Sequence, residues 1–166
     1  FPLFSSSQIS SITDSEQVLR NQLTQWKKQG LLFCIKRGLY VLNEEDRKIN
    51  PSRLFIANQL LSPSYISIEY TLSFYGLIPE KVEDITSITT KKTTLFQNVF
   101  GTFRYQHINI PSFIGFKEVQ DEATLPFFIA YPEKAIVDFF YLHLSNFQRD
   151  DKDIFSLSYR FQNVSD

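Results

Sequence analysis

Cysteine is nearly absent. The 166-residue chain has one, Cys34, so no internal disulfide can form. Cys34 lies in the apolar run LLFCI and reads as a buried small hydrophobe rather than a nucleophile. Two histidines, His107 and His143, stand far apart in sequence, so no zinc-ligand set is in view and neither metal nor cofactor is expected. Methionine is missing altogether, initiator included, and the chain reads as a fragment of a longer one. With only five glycines there is no Gly-rich phosphate loop, and no serine sits in a nucleophile-elbow pattern. No apolar run approaches the ~18 residues of a membrane span, and no secretory leader is visible. A cytoplasmic protein without a membrane partner is the expectation. Charge of neither sign dominates: the net is -1, which for the whole chain argues neither for nor against nucleic acid.

What the chain does have is apolar side chains, 43% of residues, with 17 Phe among them, enough for a packed core. Its charge is also unevenly placed. Residues 1–43 hold five basic and two acidic side chains, a balance of +3. Residues 44–166 hold 12 basic and 16 acidic ones, a balance of -4. A basic small segment followed by an acidic larger one suits nucleic-acid binding at one end and another task at the other.

The stretch Asp14 to Tyr40 carries the sharpest pattern. Leu19, Leu23 and Trp26 recur at spacings of four and three, one stripe of a helix, and Trp26 should be buried against the strands that follow. Thr13 and Glu16 stand in capping-box spacing ahead of the stripe, and Gly30 follows Lys27 and Lys28 as a stop. LLFCI and LYVL then read as two strands joined at a tip of Lys36, Arg37 and Gly38. The face opposite the stripe carries Gln17, Arg20, Asn21, Thr24 and Lys28, with Ser15 at the helix start. Arg suits guanine edges, Asn and Gln suit adenine edges, and Ser, Thr and Lys suit phosphates. Such a face also fits a solvated helix. The basic hairpin straight after it is what points to a winged helix on double-stranded DNA, with Lys36 and Arg37 on the backbone. Ahead of it, Ser5 is placed to cap a short helix running to Ile12.

Asn43 to Asn50 is polar and reads as a linker, so the chain divides into residues 1–46 and 47–166. Beyond it, a helix is expected from Pro51 to Leu61 with Leu54, Ala57 and Leu61 on one stripe, and another from Ile68 to Tyr75. Strands are expected at Tyr65–Ser67, Ile85–Thr89, 113–119 and 127–130, with a hairpin of 94–100 and 102–110 around Gly101. Helices follow from Pro132 to His143, with Ala135, Phe139 and Leu142 inside, and from Ile154 to Phe161. The fold class is α+β: a winged helix-turn-helix whose first helix is missing, then a mixed α/β domain with a mainly antiparallel sheet.

Glu133, Lys134, Asp138 and Asp84 raise the question of a metal-dependent nuclease. Glu133 and Asp138 are five apart, poorly placed for one helix face, and an acid in a first turn is explained by the partial positive charge of a helix start. No catalytic residue is expected. Lys91 and Lys92 beside Arg104 read as a solvated loop more readily than as a second basic patch.

Several phrases stand in a fixed order: GLLFCIKRGLYVL, INPSRLFIANQLLSPSYISIEYTLSFYGLIPE, TSITTKK, FRYQHI, AYPEKAIVDFFYL and IFSLSYRFQN. Together they resemble AbiEi-type antitoxins, the predicted transcriptional regulators of viral defence systems, over nearly the whole chain. Arg37, Gly38 and Tyr40 match the family's wing phrase, Ser67 to Gly76 its helix after Tyr-Ile-Ser, and Pro132 to Ala135 its Pro-Glu-Lys-Ala phrase. The resemblance implies a winged helix that represses its own operon at an inverted repeat, with a dimer on the DNA as one arrangement. It also implies a second domain that counters a nucleotidyltransferase toxin of the AbiEii type, in a type IV toxin–antitoxin pair serving phage defence by abortive infection. Residues 47–166 alone are then expected to oppose the toxin. The competing reading is a stand-alone regulator whose larger domain senses a ligand or dimerises.

Overall fold

The computed structural model describes residues 2–10 and 15–143. The fold is mixed α+β, built on two sheets. The smaller sheet holds β1 (Leu3–Ser5), β2 (Leu32–Lys36) and β3 (Leu39–Leu42), with β3 in the middle and both pairings antiparallel. Between β1 and β2 lie α1 (Ser6–Ser10) and α2 (Glu16–Lys28). The strand β1 was not expected; three residues give no period to read. Ser5 caps α1 as expected, its hydroxyl accepting from the Gln8 amide at 3.3 Å, and α1 ends at Ser10 among the described residues.

Ser15 occupies the N-cap of α2 in extended backbone, without a side-chain cap bond. Glu16 is therefore the first helical residue rather than the third, and it is not placed to close a capping box; Thr13 lies outside the described residues. At the other end the Leu31 amide reaches back to the Trp26 carbonyl at 3.0 Å and Gly30 takes a φ of 72, the left-handed turn that stops the helix. Leu19 and Leu23 are buried with Leu32 in a small cluster. Trp26 is only half-buried, because with Phe4, Ile9, Leu31 and Leu42 it lines an open apolar groove of about 380 Å³. We expect an intermediate Trp emission maximum, and a Trp26→Ala cost below the ~3–5 kcal/mol of a fully buried aromatic; denaturant melts would measure it.

The larger sheet has six strands in the order β6-β7-β5-β4-β9-β8. These are β4 (Ser64–Ile66), β5 (Ile85–Thr89), β6 (Thr94–Asn98), β7 (Gly101–His107), β8 (Phe116–Gln120) and β9 (Pro126–Ala130). Three pairings are antiparallel, while β4 with β9 and β5 with β7 run parallel, so the sheet is mixed. The expected hairpin around Gly101 forms as β6 and β7. The expected helix Ile154–Phe161 lies outside the described residues.

Both faces of this sheet are covered, and the alternation of its strands shows it. Ile66, Ile85, Phe103, Phe127 and Ile129 point into one cluster; Tyr65, Ile88 and Ala130 point into another. The second cluster is closed by α4 (Ile68–Phe74) and α5 (Pro132–His143). The first is closed by α3 (Arg53–Leu60), and by Leu3, Ile35 and Val41 of the smaller sheet. Helix α3 is thus buried nearly all round, at Phe55, Ile56, Ala57, Asn58 and Leu60, rather than along the expected single stripe; Leu54 is half-buried, and Leu61 falls just past the helix as its extended C-cap, also half-buried. Pro51 precedes its N-cap, Ser52, whose side chain accepts from the Phe55 amide at 3.1 Å. Asn58 ties the layers together: its amide donates to the Ser64 carbonyl at 3.1 Å and its oxygen accepts from the Phe128 amide at 2.6 Å. Residues 43–50 hold neither helix nor strand, and apolar packing crosses the boundary between residues 46 and 47.

Candidate nucleic-acid interface

Every residue named for base or phosphate contact on α2 is exposed: Ser15, Gln17, Arg20, Asn21, Thr24 and Lys28. Helical geometry splits them into two rows. Gln17, Asn21 and Lys28 lie opposite Leu19 and face outward. Arg20 and Lys27, seven apart, lie on the flank between that outer row and the buried stripe, and Thr24, seven on from Gln17, sits at the flank's edge toward the outer row. The outer row is held lightly, by Gln17 Nε2 donating to Asn21 Oδ1 at 3.2 Å. On the flank, Thr24 Oγ1 donates to the Arg20 carbonyl at 2.8 Å. The Arg20 guanidinium meets the Glu16 carboxylate at 3.2 Å, with the two side chains 72% and 78% exposed. An ion pair so open to water is worth little and is readily exchanged for another anion.

The flank forms one wall of a cleft of about 640 Å³. Arg37, Gly38 and Tyr40 of the hairpin form the opposite wall, and Ser6 and Ser7 line it from α1. Arg20, Lys27 and Arg37 bring three basic side chains to it against one carboxylate, Glu16. The cleft keeps its shape because the Ser6 amide donates to the Gly38 carbonyl at 3.0 Å. Gly38 is required there: its φ is 79, and a Cβ would sit 3.3 Å from Ser6 Oγ.

The hairpin tip differs from its expected form. Lys36 pairs with Leu39 inside the ladder, leaving a two-residue turn of Arg37 and Gly38, and a bulge between Cys34 and Lys36 re-aims the Lys36 side chain. Its ammonium donates to the Leu60 carbonyl at the end of α3, at 2.7 Å. Burial, and secondly the charge of Lys91, hold it below the ordinary lysine range. Lys36 is thus engaged in tying the hairpin to the larger sheet's layer and is not the tip residue that the sequence led us to expect. Cys34 is half-buried rather than buried, its thiol donating to the Lys36 carbonyl at 3.1 Å. Lys36→Ala should cost roughly 1–2 kcal/mol of stability, for a charged hydrogen bond in a half-buried setting. It should leave the salt dependence of any DNA binding unchanged; a urea melt and a salt titration check the two halves.

Lys27, Ser6 and Ser7 line the cleft but were not among the contact residues expected from the sequence. The signal for Lys27 was present: it falls seven residues after Arg20, two turns on along the same flank. The other residues weighed for chemistry are separated or enclosed. Asp84 pairs with Arg104 at 2.9 Å, on the surface. Asp138 is fully buried, where it accepts from Tyr65 at 3.0 Å and Ser67 at 2.8 Å. Lys134 Nζ lies 2.7 Å from its second oxygen, meeting it as a charge rather than in hydrogen-bond geometry. Burial first, then the Asp138 charge and hydrogen bond, push the Tyr65 hydroxyl far above the ordinary tyrosine value. Glu133, on the same helix as Asp138, is exposed and apart from this group.

No helix among the described residues is long and apolar enough to cross a membrane. The chain matches no protein-family model, and no curated protein matches it at a significant level.

Proposed function

We propose that the chain is a DNA-binding autorepressor and the antitoxin of an AbiEi/AbiEii-like type IV pair. In this reading β1, α1, α2 and the β2–β3 hairpin act as a winged helix, with α2 in the major groove of duplex DNA and the hairpin turn beside it. One observation carries the DNA half: three cations, Arg20, Lys27 and Arg37, gather at one cleft directly beside an outward row of base-reading side chains, Gln17 and Asn21. Support for the antitoxin half is the ordered set of sequence phrases, which extends through both sheets. The protein should retard a duplex carrying the inverted repeat upstream of its own gene in preference to unrelated duplex. Equal retardation of both would overturn the autorepressor reading. For the second half, co-expression with a neighbouring nucleotidyltransferase should restore growth without a stoichiometric complex on gel filtration; absence of rescue would overturn it.

The competing reading, a stand-alone regulator with a ligand-sensing larger domain, has its own support. A cavity of about 380 Å³ lies between α4, α5 and the sheet, lined by Glu69, Asp84, Arg104 and His143 over Ile68 and Leu142. That size and mix suit a small polar ligand. A gene neighbourhood without a nucleotidyltransferase would favour it.

A further inference from the structure

We infer that the cleft between α2 and the hairpin turn seats a single phosphodiester strand, and that the reading of base edges falls to Gln17 and Asn21 alone. The inference rests on the DNA reading above and divides its labour. The cleft's polar lining is what a sugar–phosphate chain asks for: Arg20, Lys27 and Arg37 as cations, with Ser6, Ser7 and Thr24 hydroxyls among them. It is lined from two sides, by α2 and by the hairpin turn, which leaves room for a strand between them. Gln17 and Asn21 lie beyond the cleft's rim on the outward row and line none of it. A helix that rests its flank on one backbone presents that outward row to the groove floor.

Arg20 changes role in this assignment. A guanine-reading Arg would belong to the outward row, but Arg20 stands on the cleft flank with Glu16 as its present counter-ion. Glu16 then competes with phosphate for the guanidinium. Removing its charge should strengthen binding to every duplex by the same factor.

The test is fluorescence anisotropy at several salt concentrations, with one labelled duplex of mixed sequence and one enriched by selection on the wild-type protein. Lys27→Ala with Arg37→Ala should weaken both duplexes alike and flatten the log–log salt slope by about two, one for each lost phosphate contact. Gln17→Ala with Asn21→Ala should keep the slope and lose about tenfold or more of the preference for the selected duplex. Glu16→Gln should tighten both duplexes equally. These side chains are exposed, and an unchanged thermal transition confirms that each variant is folded. An unchanged slope in the Lys27/Arg37 variant, or a gain from Glu16→Gln confined to the selected duplex, overturns the cleft assignment while duplex binding itself stands. Wild-type protein that binds no duplex overturns the DNA reading and this inference with it.

Discussion

Phe55→Ala is expected to destabilise the whole chain by about 3–5 kcal/mol, and to do so in one transition. Phe55 is 2% exposed and lies in the cluster that Leu3, Ile35 and Val41 of the smaller sheet share with Ile66, Ile85, Phe103 and Ile129 of the larger one. A cavity there removes packing from both sheets. Two polar contacts back the apolar ones: Asn98 donates to the Ile35 carbonyl at 3.0 Å, and Lys36 donates to that of Leu60. Far-ultraviolet circular dichroism reports mainly the larger part, and Trp26 fluorescence the smaller. Their melting curves should coincide in wild-type protein and shift together in the variant. Two separate transitions would show that the sheets fold independently. The same packing bears on the expectation that residues 47–166 act alone. Cutting at residue 46 uncovers the side of α3 that Leu3, Ile35 and Val41 close, so such a fragment should be markedly less stable than the whole chain.

Lys134→Met should cost about as much, roughly 3–5 kcal/mol, because it strands the Asp138 carboxylate in the interior without its cation. Asp138 is fully buried and the Lys134 side chain is 13% exposed, so water can replace the ammonium only poorly. The hydroxyls of Tyr65 and Ser67 still donate to the carboxylate, which sets the loss in the range for a broken pair rather than for a bare charge. Lys134 also gives up its bond to the Ser112 carbonyl, 3.0 Å away. Adding Asp138→Leu should return part of the loss, since the charge is then gone, but not all of it, since the two hydroxyls lose their acceptor. Denaturant melts of the single and double variants decide this. A double variant less stable than Lys134→Met would argue that the carboxylate is held mainly by the hydroxyls.

Local pattern carried much of this structure into view. The Leu19 and Leu23 stripe, the glycine stop at Gly30, the strand Ile85–Thr89 and the helix Pro132–His143 all follow from short-range periodicity and breakers. What escaped depends on partners distant in sequence. Nothing near Ser64–Ile66 says that this short strand sits at the centre of a sheet, antiparallel to β5 and parallel to β9. Helix α3 looked one-sided because its second burial surface is supplied by the smaller sheet. Lys134 and Asp138 were weighed as polar residues of one helix, and nothing near them in sequence says that Tyr65 and Ser67 would hold the Asp138 carboxylate in the interior. At the candidate interface, the outer row of α2 was legible from spacing. The fate of Lys36 was not, because a single-residue bulge decides which way the last side chain of β2 points.

The packing between the two sheets also has an electrical consequence. Among the described residues it holds residues 15–43, with five basic side chains against one acidic, and residues 44–143, with nine basic against 12 acidic, at a fixed mutual orientation, where a free linker would let them average out. The molecule is therefore a permanent dipole with a small net charge. Near a polyanion such a body feels a torque before it feels much net attraction, and it turns its basic end forward. That alignment acts within about a Debye length, roughly 8 Å at physiological ionic strength, so it shapes the last step of approach rather than the long search before it.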